Sequence, residues 1–385
     1  IKMHTTHQIY FENAKSMQAI SSESVDLVVT SPPYPMIQMW DELFVSLNPE
    51  IDDALNNHNG MAAFERMHAT LEPVWCEIFR ILKSGGIACV NIGDAVRTVG
   101  DSFALYPNHV KLLSQMLGIG FTTLPQILWR KQTNAPNKFM GSGMLPPYAY
   151  VTLEHEHIIV LRKGSRMAIN STTDKDIRRE SAYFWEERNN WFSDVWVELK
   201  GTRQQLIDNS VRKRSAAFPF EIPYRLINMF SVKGDTIVDP FLGTGTTMIA
   251  AMAAGRHSVG FELEPDFTIA LSDGISSAVD IANNRINERL EAHQEFVKNR
   301  TDAGYEFKYL NRHYGFPVMT RQEIELLFNR PLRAKETEKR LFRMDYDSRP
   351  LPKDCYRVDA PIRPATSLRG AQSSKKFQQR ELFKV

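Results

Sequence analysis

The stretch DTIVDPFLGTGTTMIAAMAAG, residues 235–255, most narrows the folds open to this chain. A short apolar strand enters a loop carrying Gly243 and Gly245, and the loop enters a small-residue helix closed by Gly255. Glycine lets backbone approach a ligand closely. The helix N-terminus, with the Thr246 and Thr247 hydroxyls, can hold an anionic group such as a phosphate or the carboxylate of an amino-acid-like cofactor. The absence of a G-x-x-x-x-G-K-[ST] argues against a P-loop, and Met248 stands where a dinucleotide fingerprint needs its last glycine. Asp239, at the strand end, suits a cationic or hydroxyl-rich ligand better than a phosphate. About 20 residues on, HSVGFELEP puts Glu262 at the end of the next strand, where an acid can accept both hydroxyls of a ribose. The plain alternative is a tight turn with Glu262 on the surface.

Strands alternate with helices on both sides of this motif. VDLVVT, IACVNIG, TLPQILWRK, HEHIIVLRKG and HSVGFELE read as strands. FERMHATLEPVWCEIFRILKSGG reads as a helix, with Phe64, Met67, Leu71, Trp75 and Phe79 three or four residues apart, ended by Gly85-Gly86. PFEIPYRLINMFS reads as a helix opened by proline, and ISSAVDIANNRINERLEAHQEF as a long helix with a charged face. This order predicts an α/β fold, a mainly parallel sheet with helices on both faces. Sites in such sheets lie at the carboxyl ends of strands. Residues 164–213, rich in charge and aromatics but weakly periodic, read as a loop-rich insertion. Beyond Thr301 the periodicity fades, and prolines at 331, 350, 352, 361 and 364 predict an extended, surface-wrapping tail.

Composition removes several function classes. In 385 residues, 43% apolar, no apolar run approaches the roughly 20 needed to span a bilayer, so no membrane partner is expected. The first 17 residues hold no apolar core of a secretory signal. Cys76, Cys89 and Cys355 are scattered without a C-x-x-C, which argues against a disulfide framework or structural zinc and fits a reducing cytoplasm. Net charge is +2, but from Thr301 onward 18 Lys and Arg face 11 Asp and Glu. A basic tail on an acidic body suits a polyanion partner and equally a solvated tail.

The strand VDLVVT stops at Ser31-Pro32-Pro33-Tyr34. Two prolines fix φ and remove backbone donors, leaving rigid carbonyl acceptors beside a hydroxyl and an aromatic face. Such a constellation suits a flat ring bearing an exocyclic amino group. Tyr34 can stack on the ring, while Ser31 Oγ and a carbonyl accept the amino hydrogens and free the nitrogen lone pair for attack. The plain alternative is a proline-terminated strand whose Tyr34 packs in the core.

TSPPY followed far downstream by DPFLGTGTT resembles the S-adenosylmethionine-dependent DNA amino-methyltransferases, in the order of their permuted class. IFRILKSGGIACVNIGD, ILWRK, HEHIIVLRKG, SDVW and AFPFEIPYRLINMFSVKGDTIVDPFLGTGTTMIAAMAAGRHSVGFELEPDF extend the resemblance over residues 7–270. It implies a Rossmann-like methyltransferase fold with a seven-stranded sheet. The implied division is two core halves at 7–163 and 214–300, a candidate target-recognition insertion at 164–213, and a basic extension at 301–385. Ser31, Pro32, Pro33 and Tyr34 would form the catalytic loop for a flipped base. Asp239, Phe241, Gly243, Gly245 and Thr246 would line the methionine end of S-adenosylmethionine, and Glu262 would hold its ribose. Phe218 and Pro219 match a further cofactor segment, although Arg214-Ser215 replaces the usual His-Pro before it. Asn13 stands where the family often has an adenine-contacting Asp. Ser at the head of the tetrapeptide resembles the branch that methylates cytosine N4, Asp being usual for adenine N6. The implied partners are double-stranded DNA and a restriction endonuclease acting on the same site. A monomer or homodimer at the cytoplasmic nucleoid is expected.

Other readings compete. His155 and His157 share one strand face, but no third metal ligand is suitably spaced. Trp185, Trp191 and Trp196 are core or DNA contacts, and Arg178, Arg179, Arg188 and Arg203 are solvated or phosphate contacts. Residues 45–75 and the tail rival 164–213 for target recognition. A DNA-binding regulator with an inactive core predicts cofactor binding without transfer. A nicotinamide dehydrogenase predicts the dinucleotide fingerprint that is absent. A small-molecule or RNA substrate fits the large basic, aromatic insertion less well.

Overall fold

Strand Val25–Thr30 is buried on both faces, and from Leu27 on its alternation divides the core in two. Val28 joins one apolar cluster, whereas Leu27 and Val29 join another; Val25, which lies before a register shift, packs with the first. Strand Leu82–Ile92 beside it divides likewise, with Ala88 and Val90 on the first face and Cys89 on the second. Helices Gly60–Ile81 and Asn108–Ile119 cover the first face, and Glu221–Phe230 and Thr246–Ala254 cover the second. The computed structural model describes residues 3–131, 140–141, 143–166, 169–199 and 218–350. Arg203, Arg214-Ser215, Cys355 and the three last prolines named above lie outside the described residues.

Five strands run parallel: His4–Tyr10, Val25–Thr30, Leu82–Ile92, Thr236–Asp239 and His257–Phe261. His155–Lys163 lies antiparallel on Leu82–Ile92, and Ile127–Arg130 pairs outside it. These seven form the core of an 11-stranded sheet. The additions are Phe121–Thr123, Val195–Trp196 and a hairpin, Pro331–Glu338 with Leu341–Tyr346, which pairs antiparallel with His4–Tyr10. The α/β expectation therefore holds. Among the described residues no helix is long and apolar enough to cross a membrane.

Two local expectations are corrected. Gly85-Gly86 do not end a helix. Helix Gly60–Ile81 passes directly into strand Leu82–Ile92, and the glycines sit where the register slips between the Val25–Leu82 and Leu27–Ile87 pairs. Gly85 has a φ of 87°, a left-handed conformation that a bulge can require. Nor is the segment after Thr301 wholly a wrapping tail. Residues 303–350 contribute a packed cluster in which Tyr314, Phe316, Val318 and Leu326 bury against Phe184 and Leu290. Non-local burial stabilises this segment, which is why helical or strand periodicity along the chain is weak there.

The insertion folds as helices Thr172–Glu180 and Trp185–Trp191. It is tied to the long helix Thr268–Asp302 by Arg289, 3% exposed, whose guanidinium donates to both Glu187 oxygens at 2.5 and 2.6 Å and to Tyr224 Oη at 3.1 Å. Breaking a buried pair from one side leaves an uncompensated charge. Arg289→Ala is therefore expected to cost about 3–5 kcal/mol of stability, measured as a fall in the urea midpoint, with Glu187→Ala alike and the double variant less than additive.

Candidate functional site

The carboxyl ends of four adjacent parallel strands open into one cavity of about 330 Å³. Every residue expected at the site lines it except Gly245 and Pro219. Gly245 caps helix Thr246–Ala254 with a φ of 82°, and a Cβ there would lie 2.7 Å from Leu271. Its contribution is to turn the chain, which L side chains resist at that φ. Pro219 is buried behind Phe218, and its carbonyl accepts from Ile222 N at 3.0 Å at the start of the next helix.

The glycine loop is held by the acid expected to meet the ribose. Glu262 Oε2 accepts from Gly243 N at 2.7 Å, and Oε1 accepts from Glu264 N at 2.9 Å. Leu263 N is a third backbone donor, which leaves the carboxylate lone-pair capacity for one further donor. Burial holds the Glu262 carboxyl above the ordinary glutamate range, against the pull of these backbone donors. Asp239 lies deeper, 4% exposed. Its Oδ1 accepts from Thr30 Oγ1 at 2.6 Å and from Phe241 N at 3.0 Å. Burial pushes Asp239 up to about 6, while hydrogen bonds from Thr30, Thr247 and Phe241 N oppose the shift. Asn13 reaches the rim, its Oδ1 taken by Lys15 N at 3.0 Å in an Asx turn.

Around Tyr34 the hydrogen bonds have a definite direction. Tyr34 Oη donates to Glu156 Oε2 at 2.9 Å, and Lys131 Nζ donates to Glu156 Oε1 at 2.8 Å. Asn91 Nδ2 donates to Tyr34 Oη at 2.8 Å and to Glu156 Oε2 at 2.7 Å. Ser31 Oγ lies 3.1 Å from Tyr34 Oη. The phenol has one proton, already committed to the carboxylate, so Ser31 must donate and keep its own lone pairs for the cavity. Burial, then the Glu156 charge, holds the Tyr34 phenol well above the ordinary tyrosine range, so it stays a neutral donor. Asn108, fully buried, donates from Nδ2 to Pro35 O at 2.9 Å and to Gly93 O at 3.0 Å, and pairs through Oδ1 with His68 Nε2. It rivets the loop after Tyr34 to the neighbouring strand end.

Sequence reasoning missed Asn91, Asn108, Lys131 and Glu156. One signal was present: if His155 and His157 share a strand face, Glu156 must point the other way. Also missed was the outer wall of the cavity, Met39, Trp40 and Leu43, from Gln38–Trp40 and Asp41–Leu47. Arg97 clamps that wall through both Asp41 oxygens at 2.7 Å.

The tertiary fold does supply partners to His157 that linear spacing hid. Asp94 and His109 place ligand atoms within 4.8 Å of it. His109 Nδ1 already bonds Asp94 at 2.8 Å, and the His109 and His157 rings stack 3.8 Å apart with planes 9° from parallel. Two parallel stacked rings cannot both aim a lone pair at one ion about 2.0–2.1 Å away. Burial, then the adjacent His109, pulls His157 down to about 4, so the stack sets a neutral ring on His109.

Of the insertion, described residues 169–194 lie between the end of His155–Lys163 and the start of Val195–Trp196, both at the amino edge of the parallel strands and opposite the cavity; residues 200–213 lie outside the described residues. Trp191 and Trp196 are core, at 2% and 0% exposure. Trp185 stands under Arg300. Arg178 is exposed, Arg179 pairs with Asp176, and Arg188 lies over Phe192.

The chain is similar to known proteins. The family profile described as DNA methylase matches residues 25–271. The type II methyltransferase M.MthZI of Methanothermobacter thermautotrophicus is 47% identical over 345 residues, 89% of this chain and 96% of that one. M.MjaI of Methanocaldococcus jannaschii, also a type II methyltransferase, is 47% identical over 77% of this chain and 98% of its own. The fold matches TTHA0409 of Thermus thermophilus, solved in complex with S-adenosyl-L-methionine, with a TM-score of 0.55 and 27% identity over 71% of this chain and 95% of that one.

The Asp239 shift has a thermodynamic sign. A carboxyl raised by folding binds more protons folded than unfolded, so its contribution to stability falls as pH rises from about 4 through about 6. Asp239→Asn removes this dependence. In urea titrations without added ligand, the variant is expected to gain on the wild type between about pH 4 and about pH 7. Parallel stability profiles would show that Asp239 does not carry the titration.

Proposed function

Because this chain belongs to the DNA methylase family, we propose that it moves a methyl group from S-adenosylmethionine to the exocyclic N4 amine of a cytosine extruded from double-stranded DNA. One observation carries the reading: a single cavity joins Ser31 and Tyr34 to the glycine loop, Asp239 and Glu262. The residues fit this cofactor. Glu262 offers its remaining acceptor capacity to a ribose hydroxyl, and Gly243 and Thr246 border space for an amino-acid end. Phe218 and Phe241 supply apolar walls, and Asn13 keeps amide donors for a purine at the rim. Bound there, S-adenosylmethionine supplies an electrophilic methyl whose leaving group is a neutral thioether.

The chain's own task is then to position and polarise the amine. Extrusion costs a few kcal/mol, offset by stacking on Tyr34 and by hydrogen bonds. Ser31, donating to Tyr34, keeps acceptor lone pairs that draw an amine's hydrogens and leave its nitrogen lone pair free to attack. Asn91, Glu156 and Asn108 hold the ring and loop in place, so geometry rather than acid–base chemistry lowers the barrier. Neither Cys89, fully buried in the sheet, nor Cys76 lies in the cavity, which fits transfer to an amine without a covalent cysteine adduct. Ser31, a short neutral acceptor, supports cytosine over adenine.

The deciding experiment is nucleoside mass spectrometry after incubation with unmethylated genomic DNA and methyl-labelled S-adenosylmethionine. Label is expected in N4-methylcytosine. Label in N6-methyladenine would overturn the choice of base and keep the rest, and cofactor binding with no label would favour an inactive-core regulator. Tyr34→Ala is expected to slow transfer by at least about 100-fold with cofactor affinity within about threefold by calorimetry. Equal loss of both would refute the division between base and cofactor sites.

A further inference from the structure

Two short hairpins carry an exposed apolar surface beside the pocket. Strand Leu82–Ile92 ends at the carboxyl edge, and hairpin Ala95–Val99 with Ser102–Tyr106 follows at once. Its Ala95, Val99 and Tyr106 bury against the core, while Phe103 is 38% exposed and Leu105 48%. The second hairpin, Met140–Gly141 with Ala149–Tyr150, precedes strand His155–Lys163 at the same edge. Phe103 stacks on Tyr150 with centroids 4.9 Å apart and planes 24° from parallel, joining the two. Beyond this brace Met144 is 83%, Tyr148 68% and Val151 85% exposed. Single exposed apolar residues need no explanation, but a braced group of them does.

Both hairpins are rooted in groups that touch Tyr34. Gly93, two residues before Ala95, packs so closely that a Cβ there would lie 3.0 Å from the Tyr34 ring. Glu156, which accepts the Tyr34 hydrogen bond, follows Val151 by five residues, a reach of at most about 18 Å. Val151 therefore stands within about one or two groove widths of any base lying on Tyr34, and the Phe103–Tyr150 stack braces the rest of the loop beside it. A second protein copy seated there would obstruct the edge through which a base must enter. Extruding a base leaves a gap in the duplex, and proteins that distort DNA fill or wedge such steps with uncharged apolar side chains.

Resting on the methyltransferase reading above, we propose that Met144, Tyr148 and Val151 form a wedge that enters duplex DNA beside the target and holds open the gap left by the extruded base. The wedge acts on the cost of extrusion, and neither on cofactor binding nor on the transfer step.

The test compares the wild type with Met144→Ser/Val151→Ser and, separately, Tyr148→Ala under single turnover. Two duplexes carry the methylated site located by mapping: one matched, one with the target base mispaired, which is easier to extrude. Both variants are expected to keep wild-type thermal midpoints, since the side chains are exposed. They should methylate the matched duplex on the order of 10- to 100-fold more slowly and the mispaired duplex within about threefold of the wild type. Unchanged rates on the matched duplex, or equal loss on both duplexes, would overturn the wedge. So would a shift of the wild type from dimer to monomer in the variants by sedimentation, which would assign the surface to a second copy. Failure of the wild type to methylate any DNA would instead overturn the reading on which the wedge rests, and the wedge with it.

Discussion

The hydrogen bond from Thr30 to Asp239, 2.6 Å long and buried, joins residues 209 apart in sequence. It fastens together the ends of two neighbouring parallel strands, one leading into Ser31 and the other into the glycine loop. The site exists because these strands are adjacent. Parallel neighbours need long crossovers, so their ends meet only after most of the chain has folded between them. A buried carboxylate is costly unless it is well bonded. Asp239 accepts from Thr30, Thr247 and Phe241 N, and its raised pKa shows that these bonds do not fully offset its burial.

A second constraint runs through Lys131, Glu156, Tyr34 and Ser31. Each bond fixes the direction of the next: the lysine fixes the carboxylate, the carboxylate accepts the phenol O–H, and the phenol oxygen is left to accept from serine. The result is an acceptor of known polarity at the pocket surface, built from a hydroxyl that alone could point either way. Low local dielectric strengthens such a chain and makes a missing member costly. Tyr34 thus reconciles two properties, an apolar face for stacking and a polar tip that is fully satisfied.

The periphery follows the same economy of burial. The sheet has an edge at His4–Tyr10 that would expose unpaired backbone groups, and the hairpin Pro331–Glu338/Leu341–Tyr346 moves that edge outward to a strand rich in charge. Phe184 from the insertion and Tyr314 and Phe316 from the later chain bury against Ile286 and Leu290 of the long helix. Arg289 adds the ion pair that sets their register. The described helices of the insertion are thereby part of the scaffold on the amino edge, while the two short hairpins stand at the carboxyl edge, where strands Leu82–Ile92 and His155–Lys163 meet the pocket side.

Local chemistry was readable along the chain wherever it depends on neighbours in sequence. The strand–glycine–helix motif, the strand ended by two prolines, and the acid after HSVGF each declare a turn, a stop or an acceptor through residues a few positions apart. Alternation and helical spacing likewise revealed the α/β order. What spacing could not reveal were partners brought together by the sheet. Asn91 and Glu156 meet Tyr34 from strands 57 and 122 residues away, and Lys131 meets Glu156 across a further strand pair. Asp94 reaches His157 across a strand pair, and His109 reaches it from the first turn of helix Asn108–Ile119. Gly85-Gly86, plausible as a helix end, are a bulge because the pairing of Val25–Thr30 demands one. The sequence by itself determined which groups can do chemistry and the turns that expose them, because those follow from covalent neighbours and backbone sterics. Only the tertiary structure decided which groups share a cavity, which way each proton points and which surface stands beside the pocket, because burial and non-local hydrogen bonding set those.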